Sequence, residues 1–89
     1  MIIKKLVWDE WNKEHITRHN VEQGEVEEVC NSKNLFTRGR GGSYKLVGQA
    51  TTGRYLTIIL SPRSGGYFYP MTARDADNKE RRRFKNEKN

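Results

Sequence analysis

The stretch from Asn34 to Ala73 limits the fold most, because it holds four strand-like segments separated only by short turns that contain glycine. A parallel crossover needs a dozen or more residues, whereas short turns join strands that pair in antiparallel orientation. The sequence therefore predicts an antiparallel meander of three to four strands. The predicted strands are Asn34–Arg38, Tyr44–Thr51, Arg54–Ser61 and Tyr67–Ala73.

Two features place these strands within a sheet. The third predicted strand has apolar side chains at both odd and even positions, so both of its faces are apolar and it is predicted to be central. Pro70 in the last strand has no N–H for a sheet hydrogen bond, which predicts an edge or a β-bulge there. The side chains in question are Leu56, Ile58 and Leu60 on one face and Tyr55 and Ile59 on the other.

The chain before the meander predicts one strand and one helix. Ile2–Trp8 is rich in apolar residues and has two lysines that suit an edge strand. Asp9 is a suitable N-cap for a helix that we expect to continue to about His19. Asn20, which tolerates a left-handed conformation, then closes this helix.

A second helix is predicted over about Glu22 to Asn31. Its apolar residues share one face and its glutamates share the other, which is most simply a solvated surface. The inward residues are Val26, Val29 and Cys30, and the outward ones are Glu22, Glu25, Glu27 and Glu28.

The C-terminal segment is predicted to be a helix. Asp77 and Glu80 have the spacing of a capping box, and basic residues follow towards the helix C-terminus. Phe84 is the expected anchor. Residues 1–89 are thus predicted to form a single α+β domain with two layers: a short strand, two helices, the meander and a final helix.

The charge distribution points to a polyanion. Residues 32–73 contain six basic and no acidic residues, and four tyrosines and phenylalanines follow Tyr44 within that stretch. Cations that bind phosphates and rings that stack on unpaired bases are what single-stranded nucleic acid requires. The alternative is a solvated basic surface that keeps a small domain soluble.

Other classes of protein find little support in the sequence. A single cysteine, Cys30, excludes an internal disulfide framework and a cysteine-based zinc site, which favours the cytoplasm. Cys30 lies on the apolar side of its helix, where a buried thiol is inert. No apolar run approaches the roughly 20 residues of a spanning helix, so no membrane association is expected.

His15 and His19 are the only histidines and lie four residues apart. On a helix they would share a face and supply two metal ligands, but zinc sites use three or four. Neither a metal nor another cofactor is therefore expected. The pair could instead move protons, or simply fill a half-buried helix face.

Cleavage of RNA without a metal needs a base, an acid and fixed cations around the phosphate. The chain has suitable side chains, although an arginine-rich helix is also commonly a solvated face. The suitable residues are His15 or His19, Tyr69, Glu80, Arg54, Arg74, Arg81 and Arg82.

Four motifs resemble those of the BrnT-type toxins of bacterial type II toxin–antitoxin systems, over nearly the whole chain. They are Trp8-Asp9 after a short strand, Arg18-His19-Asn20-Val21 at the end of the first helix, the G-x-x-x-x-G-R block from Gly48 to Arg54, and Ala73-Arg74-x-Ala76 followed by Glu80-Arg81-Arg82-x-Phe84. The last is the most specific and is close to the family pattern A-R-x-A-x-x-x-E-R-x-x-[YF].

The resemblance implies a RelE-like fold and a metal-independent endoribonuclease that inhibits translation. It also implies a cognate antitoxin protein, whose acidic or amphipathic segment covers the basic face, and assembly as a homo-oligomer or a toxin–antitoxin hetero-oligomer. The implied catalytic residues are His19, Arg54, Arg74 and Glu80. The RNA-binding residues suggested by charge and resemblance are Arg38, Arg40, Arg63, Tyr69, Arg81 and Arg82.

Two other hypotheses stay open at this point. The first is a non-catalytic module that binds RNA or a protein partner on the same basic face. The second is a metal-binding regulator that uses the two histidines.

Overall fold

The computed structural model describes residues 3–88, which form five strands and three α-helices in one α+β arrangement. In chain order the elements are β1 (Lys5–Leu6), α1 (Glu10–Thr17), α2 (Gln23–Cys30), β2 (Asn34–Arg38), β3 (Tyr44–Gln49), β4 (Tyr55–Pro62), β5 (Tyr67–Asp75) and α3 (Asn78–Lys88). No helix within residues 3–88 is long and apolar enough to cross a membrane.

The meander is confirmed with four strands. β2, β3, β4 and β5 pair with their chain neighbours in antiparallel orientation, and the sheet order is β1-β5-β4-β3-β2. β4 is the central strand, as its two apolar faces predicted. The register shifts beside Pro70, where Leu60 pairs with Pro70 and Ile59 with Thr72, so Met71 is the extra residue of the predicted bulge.

The N-terminal strand is shorter than the predicted Ile2–Trp8, of which Ile2 lies outside the described residues. Only Lys5 and Leu6 pair, in parallel with Tyr67 and Phe68. The strand stops early because the side-chain amide of Asn12, a buried residue of α1, donates to the carbonyl of Val7 and to that of Pro70. The predicted edge position is confirmed, while the parallel pairing makes the sheet mixed.

The helices α1 and α2 pack on one face of the sheet, the core face. Their buried side chains meet alternate residues of the strands, and Gly48 of β3 allows a close approach. A Cβ atom at Gly48 would lie 2.7 Å from Cγ1 of Val29 in α2. The core side chains include Ile16, Val26 and Val29 from the helices and Leu46, Leu56, Ile58, Leu60, Phe68 and Ala73 from the sheet.

α1 begins as predicted and ends two residues before His19. Asp9 caps it, because its carboxylate accepts from the Asn12 amide N–H while the Asn12 side chain accepts from the Asp9 N–H. The helix stops at Thr17, and Asn20 takes the left-handed conformation with φ of 58°. A short turn thus leads directly into the N-cap of α2, Glu22.

α3 packs on the opposite face, so the predicted two layers become three at this end of the sheet. Four residues stand side by side across four strands and point away from the core face: Leu35, Val47, Thr57 and Arg74. α3 covers this row with Glu80 and Phe84, which are both buried. We call this side of the sheet the α3 face. The choice of face depends on contacts between distant parts of the chain, which the local pattern does not show.

Candidate functional site

The α3 face carries a cluster of four polar side chains that four elements bring together. Arg74 of β5 lies opposite Thr57 of β4, and the alternation of β3 places Lys45 on the same face. α3 contributes Glu80, whose carboxylate contacts the other three side chains. We call these residues the Arg74 cluster.

Glu80 is the hub of this cluster and has only 8% of its surface exposed. Its carboxylate accepts a bidentate pair of hydrogen bonds from Arg74, Nη1 to Oε1 at 2.9 Å and Nη2 to Oε2 at 3.0 Å. Thr57 Oγ1 donates to Oε1 at 2.9 Å, and Nζ of Lys45 lies 2.5 Å from Oε2. The backbone N–H of Asp77 also donates to Oε1, which completes the predicted capping box with the Glu80 N–H to Asp77 bond.

These contacts decide the protonation state of Glu80. Burial by itself would raise the pKa of the carboxyl, but the hydrogen bonds from Arg74, Lys45, Asp77 and Thr57 outweigh it and hold the pKa well below its usual range. The group is therefore a carboxylate at neutral pH, has no proton to donate, and is a weak base. Its geometry fits a positioning role towards Arg74 better than the predicted proton transfer.

Arg74 is fixed by Glu80 but remains accessible, with 40% of its side chain exposed. The bidentate pair with Glu80 raises the pKa of the guanidinium, so the group is permanently charged. Of its five N–H groups, Nη1 also donates to the carbonyl of Asp75. Among the described residues no partner takes Nε–H or the second N–H of Nη2. These two donors can bind a phosphate oxygen.

Arg54 lies elsewhere, since the alternation of β4 places it on the core side with Leu56 and away from Arg74. Its guanidinium donates to the carboxylates of Asp75 (2.7 Å) and Glu25 (3.1 Å) and to the carbonyls of Asn20 and His19. The hydrogen bond to Asp75 raises its pKa. With these donors used, Arg54 fastens the α1–α2 turn to the sheet.

His19 lies in that same turn, exposed and on the other side of the sheet from Arg74. Its ring meets the His15 ring edge-on at 5.8 Å, and His15 stacks on Trp11 with centroids 4.7 Å apart. Trp11 is 59% exposed, so this row of rings lies on the surface of α1. Within residues 3–88, no three histidine, cysteine or acidic side chains are grouped so that they could hold a metal ion.

Four predicted RNA-binding residues lie at the opposite end of the sheet from Arg74. Arg38 and Arg40 are exposed at the β2–β3 hairpin. Arg63, in the β4–β5 turn, lies 4.8 Å above the Tyr69 ring and donates to Ser61. The Tyr69 hydroxyl donates to Asp9; burial and this carboxylate both raise the pKa of the phenol.

The predicted residues of α3 differ in their surroundings. Arg81 lies 4.9 Å above the ring of Tyr55, which helps to dock the helix, while Arg82 is exposed. Sequence reasoning missed Lys45 and Thr57 as members of the site. Strand alternation and hairpin register place both on one face with Arg74, but the docking of α3 that makes them a cluster has no local signal.

Comparison with known proteins finds one informative likeness. No protein-family model matches the sequence, and no curated protein matches it. The crystal structure of the Brucella abortus ribonuclease toxin BrnT superimposes with a TM-score of 0.67, covering 83% of this chain and 97% of that one at 16% identity. This protein therefore has the BrnT-type toxin fold that its sequence motifs predicted.

Proposed function

We propose that this protein is a metal-independent endoribonuclease toxin of the bacterial cytoplasm, and that the Arg74 cluster binds the phosphate at the cleaved bond. The observation that carries the proposal is the geometry of Arg74. The buried carboxylate of Glu80 accepts two hydrogen bonds from the Arg74 guanidinium. Among the described residues, two N–H donors of Arg74 have no partner, and the ammonium group of Lys45 forms an ion pair with the same carboxylate. The fold of a ribonuclease toxin supports the choice of substrate.

The reaction needs little from such a site. The 2′-oxygen attacks the neighbouring phosphorus, the bond from phosphorus to the 5′-oxygen breaks, and the products are a 2′,3′-cyclic phosphate and a free 5′-hydroxyl. Negative charge develops on the phosphoryl oxygens during attack. Arg74 and Lys45 stabilise that charge, and Glu80 keeps both cations in place before the substrate arrives.

Two protons must also move in this reaction. Glu80 is too weak a base to take the 2′-hydroxyl proton efficiently, and His19 lies across the sheet. We therefore assign removal of that proton to hydroxide from solvent, and protonation of the leaving 5′-oxygen to Lys45 or water. Transfer by His19 is the competing assignment, which a pH profile separates from this one.

The rest of the proposed surface binds the RNA strand and the antitoxin. Arg82 on α3 and the cations at the hairpin end would contact phosphates away from the reaction, and Tyr69 offers a ring for stacking. A cognate antitoxin with an acidic segment would cover these cations in a hetero-oligomer. The hairpin cations are Arg38, Arg40 and Arg63.

The first test is incubation of the purified protein with mixed-sequence RNA in EDTA, followed by analysis of the product ends. We expect fragments with 2′,3′-cyclic phosphate ends. For Arg74→Ala we expect the cleavage rate to fall about 100-fold or more, as it does in other enzymes when one preorganised donor that stabilises the developing charge is removed. Arg18→Ala is the matched control, since Arg18 is an exposed arginine at the end of α1 and its side chain pairs with the exposed Glu14.

Each result has a clear meaning. Full activity of Arg74→Ala would show that Arg74 does not act in cleavage, while intact RNA in every sample would refute the nuclease activity. Intact RNA that is nevertheless retained by the protein would support a non-catalytic binding module. This second function needs only the cations of the same face, because binding requires no group that accepts a proton.

A further inference from the structure

A groove of about 260 Å³ runs between α3 and the strands β2 and β3, directly beside Glu80. Its floor is apolar, formed by Leu35 and Val47, and its rim is basic. Lys45 lies on the strand side, while Lys79 and Arg83 lie on the helix side.

The helix-side cations have no partner within the part of the chain that the structure describes. Neither Lys79 nor Arg83 forms an ion pair or hydrogen bond there, and both are exposed. They are four residues apart, so they lie on one side of α3 and about 6 Å apart along its axis. This separation is close to that of neighbouring phosphates in an extended single strand.

The floor indicates what the groove accepts. Leu35 is only half-buried, whereas Val47 is almost fully covered, so the apolar area is a small patch. Such a patch suits one flat ring rather than the long apolar face of a partner helix, which needs anchors over several turns. Uncompensated cations above a small apolar floor favour a nucleotide.

We infer that this groove is a subsite for the second nucleotide from the cleaved bond, with its base on Leu35 and its two flanking phosphates on Lys79 and Arg83. The inference rests on the proposed function for the position of the cleaved bond. It explains why these cations face the Arg74 cluster without pairing to it: Glu80 is already occupied by Lys45 and Arg74.

The test measures binding of a short single-stranded RNA with 2′-O-methyl groups, which cannot be cleaved, by fluorescence anisotropy over a range of salt concentrations. We expect Lys79→Ala/Arg83→Ala to lower the slope of log K against log salt by about 1.4, since each phosphate contact on a single strand contributes about 0.7. The control Lys13→Ala/Arg18→Ala removes the same charge from exposed positions on α1 and should leave the slope unchanged.

If the slope of log K against log salt is the same in the Lys79→Ala/Arg83→Ala protein, the subsite is refuted and a protein partner becomes the better occupant of the groove. An equal fall in the control would also overturn it, because the effect would then be one of total charge. Since the ligand is uncleavable, a protein that binds it through this groove but never cuts RNA would retain the subsite and refute only the proposed function.

Discussion

Glu80 has two roles, because its carboxylate caps the start of α3 and also holds Arg74 by two hydrogen bonds. The spacing of Asp77 and Glu80 predicted a capping box, and both of its hydrogen bonds are present. The same carboxylate also holds Arg74, Lys45 and Thr57. That second role could not be predicted, because it depends on where a helix from the end of the chain meets the sheet.

Glu80 should make protein stability depend on pH. Its pKa is lower in the folded protein than the unfolded value of about 4.3, so below about pH 4.5 the unfolded chain takes up the proton first and the stabilisation is progressively lost. Glu80→Gln removes this effect and weakens the charged hydrogen bonds, at a cost of about 2 kcal/mol near pH 7. Urea unfolding should show the difference in unfolding free energy between the two proteins narrowing as the pH falls from about 5 to about 3. A difference in unfolding free energy that stays constant over this pH range would mean that the fold does not hold Glu80 ionised.

Arg54 tests whether a matched motif position is catalytic or structural. Since its guanidinium connects Asp75 and Glu25 to the α1–α2 turn, Arg54→Ala should destabilise the protein by about 1–3 kcal/mol. RNA cleavage well below the melting temperature should then stay within a few-fold of the unmutated rate. Lost cleavage with unchanged stability would restore the catalytic role that the motif suggested.

At the scale of elements, α2 shows what an amphipathic pattern leaves out. Its acidic side was predicted to be solvated, but three of its four glutamates bind other elements. Glu25 pairs with Arg54, Glu27 accepts from the Trp8 indole at 2.7 Å, and Glu28 accepts from the Thr51 N–H at 3.0 Å. The periodicity predicted which side of the helix faces the core, whereas the partners at its borders come from distant segments.

The central strand gives a direct check on the core. Ile58 is fully buried on the core face, and Ile59, the next residue, is only half-buried on the α3 face. Ile58→Ala should therefore cost about 2–5 kcal/mol of unfolding free energy. Ile59→Ala, the same chemical change on the same strand, should cost clearly less, as measured by chemical denaturation. Similar losses of unfolding free energy for the two variants would show that the α3 face around Ile59 is covered in solution.

For the whole molecule, local signals predicted a meander of three to four strands, its central strand, and an edge or a β-bulge at Pro70. They did not predict that β1 pairs in parallel with β5 or that α3 takes the face opposite α1 and α2. Both depend on contacts between distant parts of the chain. The consequence for function is large, because the arrangement puts Arg54 and His19 on one side of the sheet and Arg74 with Glu80 on the other.

This separation makes the pH dependence of cleavage the sharpest test of the mechanism. If solvent hydroxide takes the 2′-hydroxyl proton while Arg74 and Lys45 stabilise charge, log rate should rise with pH at a slope of about 1 from about pH 6 to about pH 8. His19→Ala should leave this profile unchanged, since the turn that carries His19 is bound to Arg54 on the side of the sheet away from Arg74. A slope that falls below 1 within this pH range only when His19 is present would instead identify His19 as the base. The RNA would then have to pass around the sheet edge, and the site would extend over both faces.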